Sequence, residues 1–153
     1  LVAELPQIAC IKQEAVPTAP KTRALIKGME GGRRATILTG LGALYGRYDL
    51  ESGADGFMTG FAFPEVLQAL VTARNAGDEA LLRDLYQRFL PLIVFEQQPG
   101  VAVRKEIFRL RGLVDSSHVR HPGRSIDAGT AQHLAQTLES ILAGMDIKTP
   151  LAL

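Results

Sequence analysis

Lys12 closes the short apolar run Ile8-Ala9-Cys10-Ile11. A lysine at the C-terminal end of a buried strand is costly unless its amine is neutral or paired. Burial disfavours the ammonium, and a neutral amine can attack a ketone to form a Schiff base. The same position also suits a strand-end lysine whose stem lies along apolar surface and whose head reaches water. Glu14 shares the Lys12 side only if the strand continues past it, and Pro17 argues against that. A second candidate is Gly40-Leu41-Gly42-Ala43-Leu44-Tyr45-Gly46, a glycine-rich turn after an apolar run. Such turns let a pyrophosphate approach a helix N-terminus. A dinucleotide site also wants an acid at the end of the next strand. Asp55 instead precedes Gly56-Phe57-Met58-Thr59, and the next acid is Glu65, so a plain strand-to-helix turn competes with the nucleotide reading.

The remaining chemistry-bearing residues fall in weaker patterns. His118 and His121 flank Val119-Arg120 ahead of Pro122-Gly123, with no nearby cysteine to complete a zinc set, so they read as loop histidines. His133 falls on the solvated side of the last helix. Ser116-Ser117-His118 lacks a Gly-x-Ser-x-Gly elbow and does not support a hydrolase triad. Glu96-Gln97-Gln98-Pro99-Gly100 reads as the end of one helix and a turn into the next.

The elements that would position these residues alternate at first. Strands are predicted at Ile8 to Lys12, Ala35 to Thr39 and Gly56 to Thr59. Between them lie a helix carrying Ala24, Leu25 and Met29, ending toward Gly31-Gly32, and one through Leu44, Tyr48 and Leu50, stopped by Ser52-Gly53. Pro64 opens a helix after the third strand. Three strand–helix units in succession imply a parallel α/β sheet. The rest is helical. Val66, Leu67, Leu70 and Val71 share one face. Leu81, Leu82, Leu85, Tyr86 and Phe89 share another after the cap-like Asp78, and Leu134, Leu138, Ile141 and Leu142 form a third. A shorter helix runs from about Val101 to Arg111, closed by Gly112.

Composition bounds the function classes. The 153 residues are 46% hydrophobic, enough for one sizeable core. Seventeen Lys and Arg against sixteen Asp and Glu give a net charge of +1, with no basic stripe for nucleic acid or anionic membrane. The greasiest stretch, Phe89 to Phe95, contains Pro91 and is far short of the roughly 18 residues that cross a bilayer. A soluble, cytoplasmic protein is expected, and the single Cys10 fits a reducing compartment. The chain begins with Leu1, as a processed or truncated chain would, and its first residues lack the features of a secretory signal.

Taken in order, Ile11-Lys12-Gln13-Glu14-Ala15, Thr39-Gly40, Gly53-Ala54-Asp55-Gly56-Phe57-Met58-Thr59-Gly60, Leu90-Pro91-Leu92-Ile93 and Val119-Arg120-His121-Pro122 resemble the dihydrodipicolinate synthase / N-acetylneuraminate lyase family. The resemblance covers almost the whole chain and implies a (β/α)8 barrel lyase. In that family a strand-6 lysine, matched by Lys12, forms a Schiff base with pyruvate or another 2-oxo acid. It aligns this chain with strands 6 to 8 (residues 1–76) and the extra C-terminal helices (residues 77–153). A complete barrel needs about 250 residues, so three strands cannot close one. An N-terminal half-barrel, in the same polypeptide or a second chain, is therefore an implied partner, with a homo-oligomer expected. Substrate contacts carry over to Thr39 and Gly40, and to the backbone carbonyl of Met58. No metal or organic cofactor is implied. Two departures bear on substrate: Gln13 replaces the usual glutamate after the lysine, and Leu41-Gly42 replaces the acidic residues that commonly follow Gly40. Met58-Thr59-Gly60 and Phe63-Pro64 look more like the sugar-acid dehydratase branch. The alternatives are a nucleotide-binding module built on the Gly40–Gly46 turn and an inactive fragment with an interaction role alone.

Overall fold

The computed structural model describes residues 1–98, 100–151 and 153; Pro99, expected in a turn, lies outside them. Three parallel strands, β1 (Cys10–Gln13), β2 (Thr36–Thr39) and β3 (Gly56–Phe57), lie side by side in chain order. Parallel neighbours need a crossover, which α1 (Thr18–Gly28) and α2 (Gly46–Glu51) supply. The helices α3 (Pro64–Ala76), α4 (Glu79–Phe95), α5 (Val101–Leu110) and α6 (Ala128–Leu142) follow. The alternating start and helical remainder are those predicted. The chain forms two compact units, one of Leu1–Thr59 with Leu67–Tyr86 and one of Gly60–Val66 with Gln87–Leu153.

In the first unit, register decides which side chains share a face. Lys12 pairs with Leu38 and Leu38 with Gly56, while Gln13 pairs with Thr39 and Thr39 with Phe57. Side chains alternate along a strand. Cys10, Lys12, Thr36 and Leu38 therefore share one face, and Ile11, Gln13, Ile37 and Thr39 the other. The second face is covered: Gln13, Ile37 and Thr39 are buried. On the first face Cys10, Lys12 and Thr36 are exposed. The expected buried strand ending at Lys12 is corrected on this point. β1 starts later, at Cys10, and among the described residues it pairs with β2 alone, so it is an edge strand with an open face. Ile37→Val should cost about 1 kcal/mol of stability in urea unfolding, as for a methyl removed from a packed site. A cost near zero would contradict the full burial of Ile37.

Asp55 sets the β2–β3 register. Its carboxylate accepts from the Ile37 N–H and from Arg34, both at 2.7 Å, while its own N–H donates to the Ile37 carbonyl at 2.7 Å. The expected helix after β2 is delayed. Leu41, Gly42 and Ala43 take φ of +51°, +63° and +65°, a left-handed turn that cannot continue into α2. Glycine occupies that region freely, whereas Leu41 and Ala43 each carry a cost of order 1 kcal/mol. The Tyr86 hydroxyl from α4 steadies the turn by donating to the Leu44 carbonyl at 2.5 Å. Burial, first, pushes that phenol up to about 12. α1 also differs from its pattern: Thr18 and Thr22 are buried and Ala24 is exposed. Leu81, expected on the apolar face of α4, is exposed, while Leu82, Leu85 and Tyr86 are buried.

The second unit is built on α5, α6 and the later turns of α4. Leu134, Leu138, Ile141 and Leu142 are buried, as their spacing predicts. The Asp127 carboxylate caps α6 by accepting from the Thr130 N–H at 2.7 Å. Phe63 packs against Phe89 with ring centroids 6.2 Å apart. Among the described residues no helix is long and apolar enough to cross a membrane.

Candidate active site

The C-terminal ends of β1, β2 and β3 gather the groups of chemical interest in the first unit. Lys12 Nζ lies 3.3 Å from Glu14 Oε1, and the two side chains are 42% and 44% exposed. Of the alternatives that the sequence left open, the lysine is thus paired and half-exposed in this chain rather than buried. Its amine stands on the open face of the sheet, fixed by a carboxylate. Glu14 reaches it although the strand ends at Gln13, because the backbone at that point turns its side chain toward Gly40.

Gly40 explains why that turn is possible. A Cβ on Gly40 would overlap the Glu14 side chain, lying 2.6 Å from its Cδ. The same carboxylate accepts from the Leu41 N–H at 3.1 Å. That backbone hydrogen bond above all, helped by Lys12, holds the Glu14 carboxyl below the ordinary carboxylate range against the opposing effect of desolvation. The Gly42 N–H donates to Thr59 Oγ1 at 2.7 Å, tying the turn after β2 to the exit of β3. Both amides that a phosphate would need are thus already occupied from within, which leaves the glycine-rich turn poorly suited to a nucleotide. Gly40→Ala should fold with little loss of stability, because the far end of a flexible side chain is what must move. The Glu14 carboxyl should then titrate closer to its ordinary range in carbon-detected NMR; an unchanged titration would mean that Gly40 does not seat it.

The other residues singled out by sequence are distributed as follows. Thr39 is 1% exposed and its hydroxyl donates to Asp49 on the covered side of the sheet. Its side chain does not share the Lys12 face, so only its backbone is available there. Met58 is 41% exposed; its N–H continues the ladder to the Thr39 carbonyl at 2.9 Å, and its own carbonyl accepts from no backbone N–H among the described residues. Gln13 faces the covered side, with its amide donating to the Ala15 carbonyl at 2.8 Å. His118 and His121 stay exposed, and among the described residues no three His, Cys, Asp or Glu side chains come together. Glu14 and Thr59 are the two contributors that the sequence patterns do not single out; the signal available is that Glu14 directly follows β1 and Thr59 lies two residues past β3, at strand ends where parallel barrels carry chemistry.

A half-exposed lysine, a carboxylate on its nitrogen and the Met58 carbonyl, which accepts from no backbone N–H among the described residues, are the equipment of an amine-based carbonyl reaction. No family model matches the chain. It is 34% identical over 144 residues to L-2-keto-3-deoxyarabonate dehydratase of Azospirillum brasilense, covering 88% of this chain and 43% of that one. It also superposes on a dihydrodipicolinate synthase from Rhodopseudomonas palustris with a TM-score of 0.81 and 35% identity, covering 86% and 45% of the two chains. Over the part of them that it spans, the chain is similar to dihydrodipicolinate synthases and to this dehydratase. A 4-hydroxy-tetrahydrodipicolinate synthase from Methylacidiphilum fumariolicum SolV aligns with a TM-score of 0.76 and 26% identity over 90% of this chain and 46% of that one. The chain thus spans a little under half the length of these relatives, and its three strands with their helices are the C-terminal portion of a (β/α)8 barrel.

Proposed function

We propose that these residues, within a complete barrel, form part of a class I lyase that acts on a 2-oxo acid, with Lys12 as the Schiff-base nucleophile. The observation that carries this reading is a lysine at the C-terminal end of a barrel strand, its nitrogen held by Glu14 on an open sheet face. The free amine attacks the C2 ketone, water leaves, and a protonated imine forms on Lys12. Loss of a proton from C3 gives an enamine, which can expel a hydroxyl from the next carbon as water. Glu14 stands where it would face the positive imine nitrogen, and the Met58 carbonyl and the Thr39-Gly40 backbone line the approach. The dehydratase relative, at 34% identity, favours elimination over condensation, with a 2-keto-3-deoxy sugar acid as substrate class.

The open edge of β1 and the groove beside it, lined by Ile11, Leu25 and Met29, suit an N-terminal half-barrel as partner. A cytoplasmic homo-oligomer is the proposed setting. The test is borohydride reduction of the complete barrel in the presence of pyruvate, followed by peptide mass analysis. A reduced pyruvyl adduct on Lys12 is expected; an adduct on another residue, or none, would remove the mechanism.

A further inference from the structure

We propose that Glu14 is the base that takes the C3 proton from a substrate imine on Lys12 and returns it to the departing hydroxyl. The inference rests on the Schiff-base reading above and adds to it the residue that moves the proton. Glu14 Oε1 lies 3.3 Å from Lys12 Nζ and accepts from the Leu41 N–H at 3.1 Å. Its second oxygen, Oε2, takes part in no hydrogen bond among the described residues, and the side chain is 44% exposed. The backbone seats the carboxyl in two ways. Gly40 lacks the Cβ that would overlap it, and Leu41 presents its N–H from the left-handed region, at φ +51°. Leucine adopts that region only at a cost, and such strain collects at functional sites.

The two oxygens are thereby divided. The Leu41 N–H on Oε1 keeps the carboxyl ionised before the imine forms and leaves Oε2 as the oxygen that can carry a proton. An imine at Lys12 Nζ places C3 two bonds from the nitrogen, so a carboxylate in contact with that nitrogen also reaches the C3 hydrogens. Other groups of the first unit are engaged elsewhere. The Thr39 hydroxyl donates to Asp49 on the covered side, the Tyr86 hydroxyl donates to the Leu44 carbonyl, and Thr59 Oγ1 accepts from the Gly42 N–H. Cys10 shares the Lys12 face but stands at the opposite end of β1. The step balances without a co-reactant. Oε2 takes a C3 proton, the C3–H pair becomes the C2=C3 bond of an enamine, and the C=N pair moves to nitrogen. In the return the nitrogen pair re-forms the imine, the C2=C3 pair becomes C3=C4, the C4–O bond breaks, and the proton on Oε2 leaves with the oxygen as water. Passage through one carboxyl removes hydrogen and hydroxyl from the same face of the substrate.

The test uses pyruvate, whose methyl group is the C3 position, with the complete protein in heavy water. Proton NMR follows exchange of the methyl hydrogens, and mass analysis after borohydride reduction follows the adduct on Lys12. The parent protein is expected to show both. Glu14→Gln should still form the adduct but exchange the methyl hydrogens about a hundredfold more slowly or worse, the scale of a lost general base. Slowing by less than about tenfold would overturn the proposal while leaving Lys12 as the nucleophile. Loss of the adduct together with exchange would overturn it as well, because Glu14 would then serve imine formation instead. An absent adduct in the parent would remove the Lys12 reading and this one with it. Should Glu14→Gln fail to fold, Gly40→Ala decides, since its Cβ displaces the carboxyl: unchanged exchange there overturns the proposal.

Discussion

Lys12→Ala in the complete barrel should leave no borohydride-trappable pyruvate adduct and lower turnover by on the order of 10^4-fold or more, the scale seen when a covalent nucleophile is deleted. Substrate binding should change far less. The expectation rests on placement. Lys12 stands on the open face of β1, and its recorded ionic contact is with Glu14 at 3.3 Å. Circular dichroism should match the parent protein, because the change leaves the backbone pairing of β1 with β2 intact. That separation gives the result its meaning: a variant that is folded and silent identifies the nucleophile, whereas one that retains even a hundredth of the activity excludes imine formation at this residue. Lys12→Arg sharpens the contrast, because it keeps the charge facing Glu14 while supplying a guanidinium that stays protonated and cannot attack a ketone.

The parts of this molecule that sequence made legible are those where one local pattern has one structural outcome. β2 and α6 are examples: Ile37 is buried between exposed or half-buried neighbours, and Leu134, Leu138 and Ile141 recur at helical spacing with Asp127 as a cap. The fold class was legible for the same reason, since strands separated by helices leave few topologies. Burial of β1 was not, because the exposure of Lys12 depends on what covers the far side of the sheet, and no local pattern encodes that. The left-handed turn was hidden differently. Leu41 and Ala43 are not residues that advertise positive φ, and they are held there by contacts made to Thr59 and Tyr86, distant in sequence. Glu14 is not legible from strand alternation, because β1 does end before it and its role depends on Lys12 and the Leu41 N–H. Glu96 follows the end of α4 as its sequence position predicts, and with Phe89, Leu92 and Ile93 it also completes a buried stripe at helical spacing.

That buried stripe sets a pH dependence for the stability of the second unit. The Glu96 carboxyl is pushed by burial from an ordinary value of 4.5 up to about 7. Between these two values the folded protein holds a proton that the unfolded chain has released, so unfolding becomes easier as pH rises. The contribution is fully present below about 4.5 and lost on passing about 7. Each pH unit across that window removes about 1.4 kcal/mol, so the whole passage removes about 3 kcal/mol. Glu96→Gln isolates the effect. The glutamine carbonyl can still accept from the Ala62 N–H, which Glu96 binds at 3.0 Å, but it never ionises. Urea unfolding of the two proteins at about pH 5 and about pH 8 should show the variant gaining roughly 2 kcal/mol on the parent between the two conditions, since part of the passage lies below pH 5. The loss of the Arg104 contact offsets part of this at the higher pH only, and weakly, since that contact is 3.4 Å long. Curves that stay parallel would mean that Glu96 is ionised throughout, with Arg104 outweighing the cost of burying its charge.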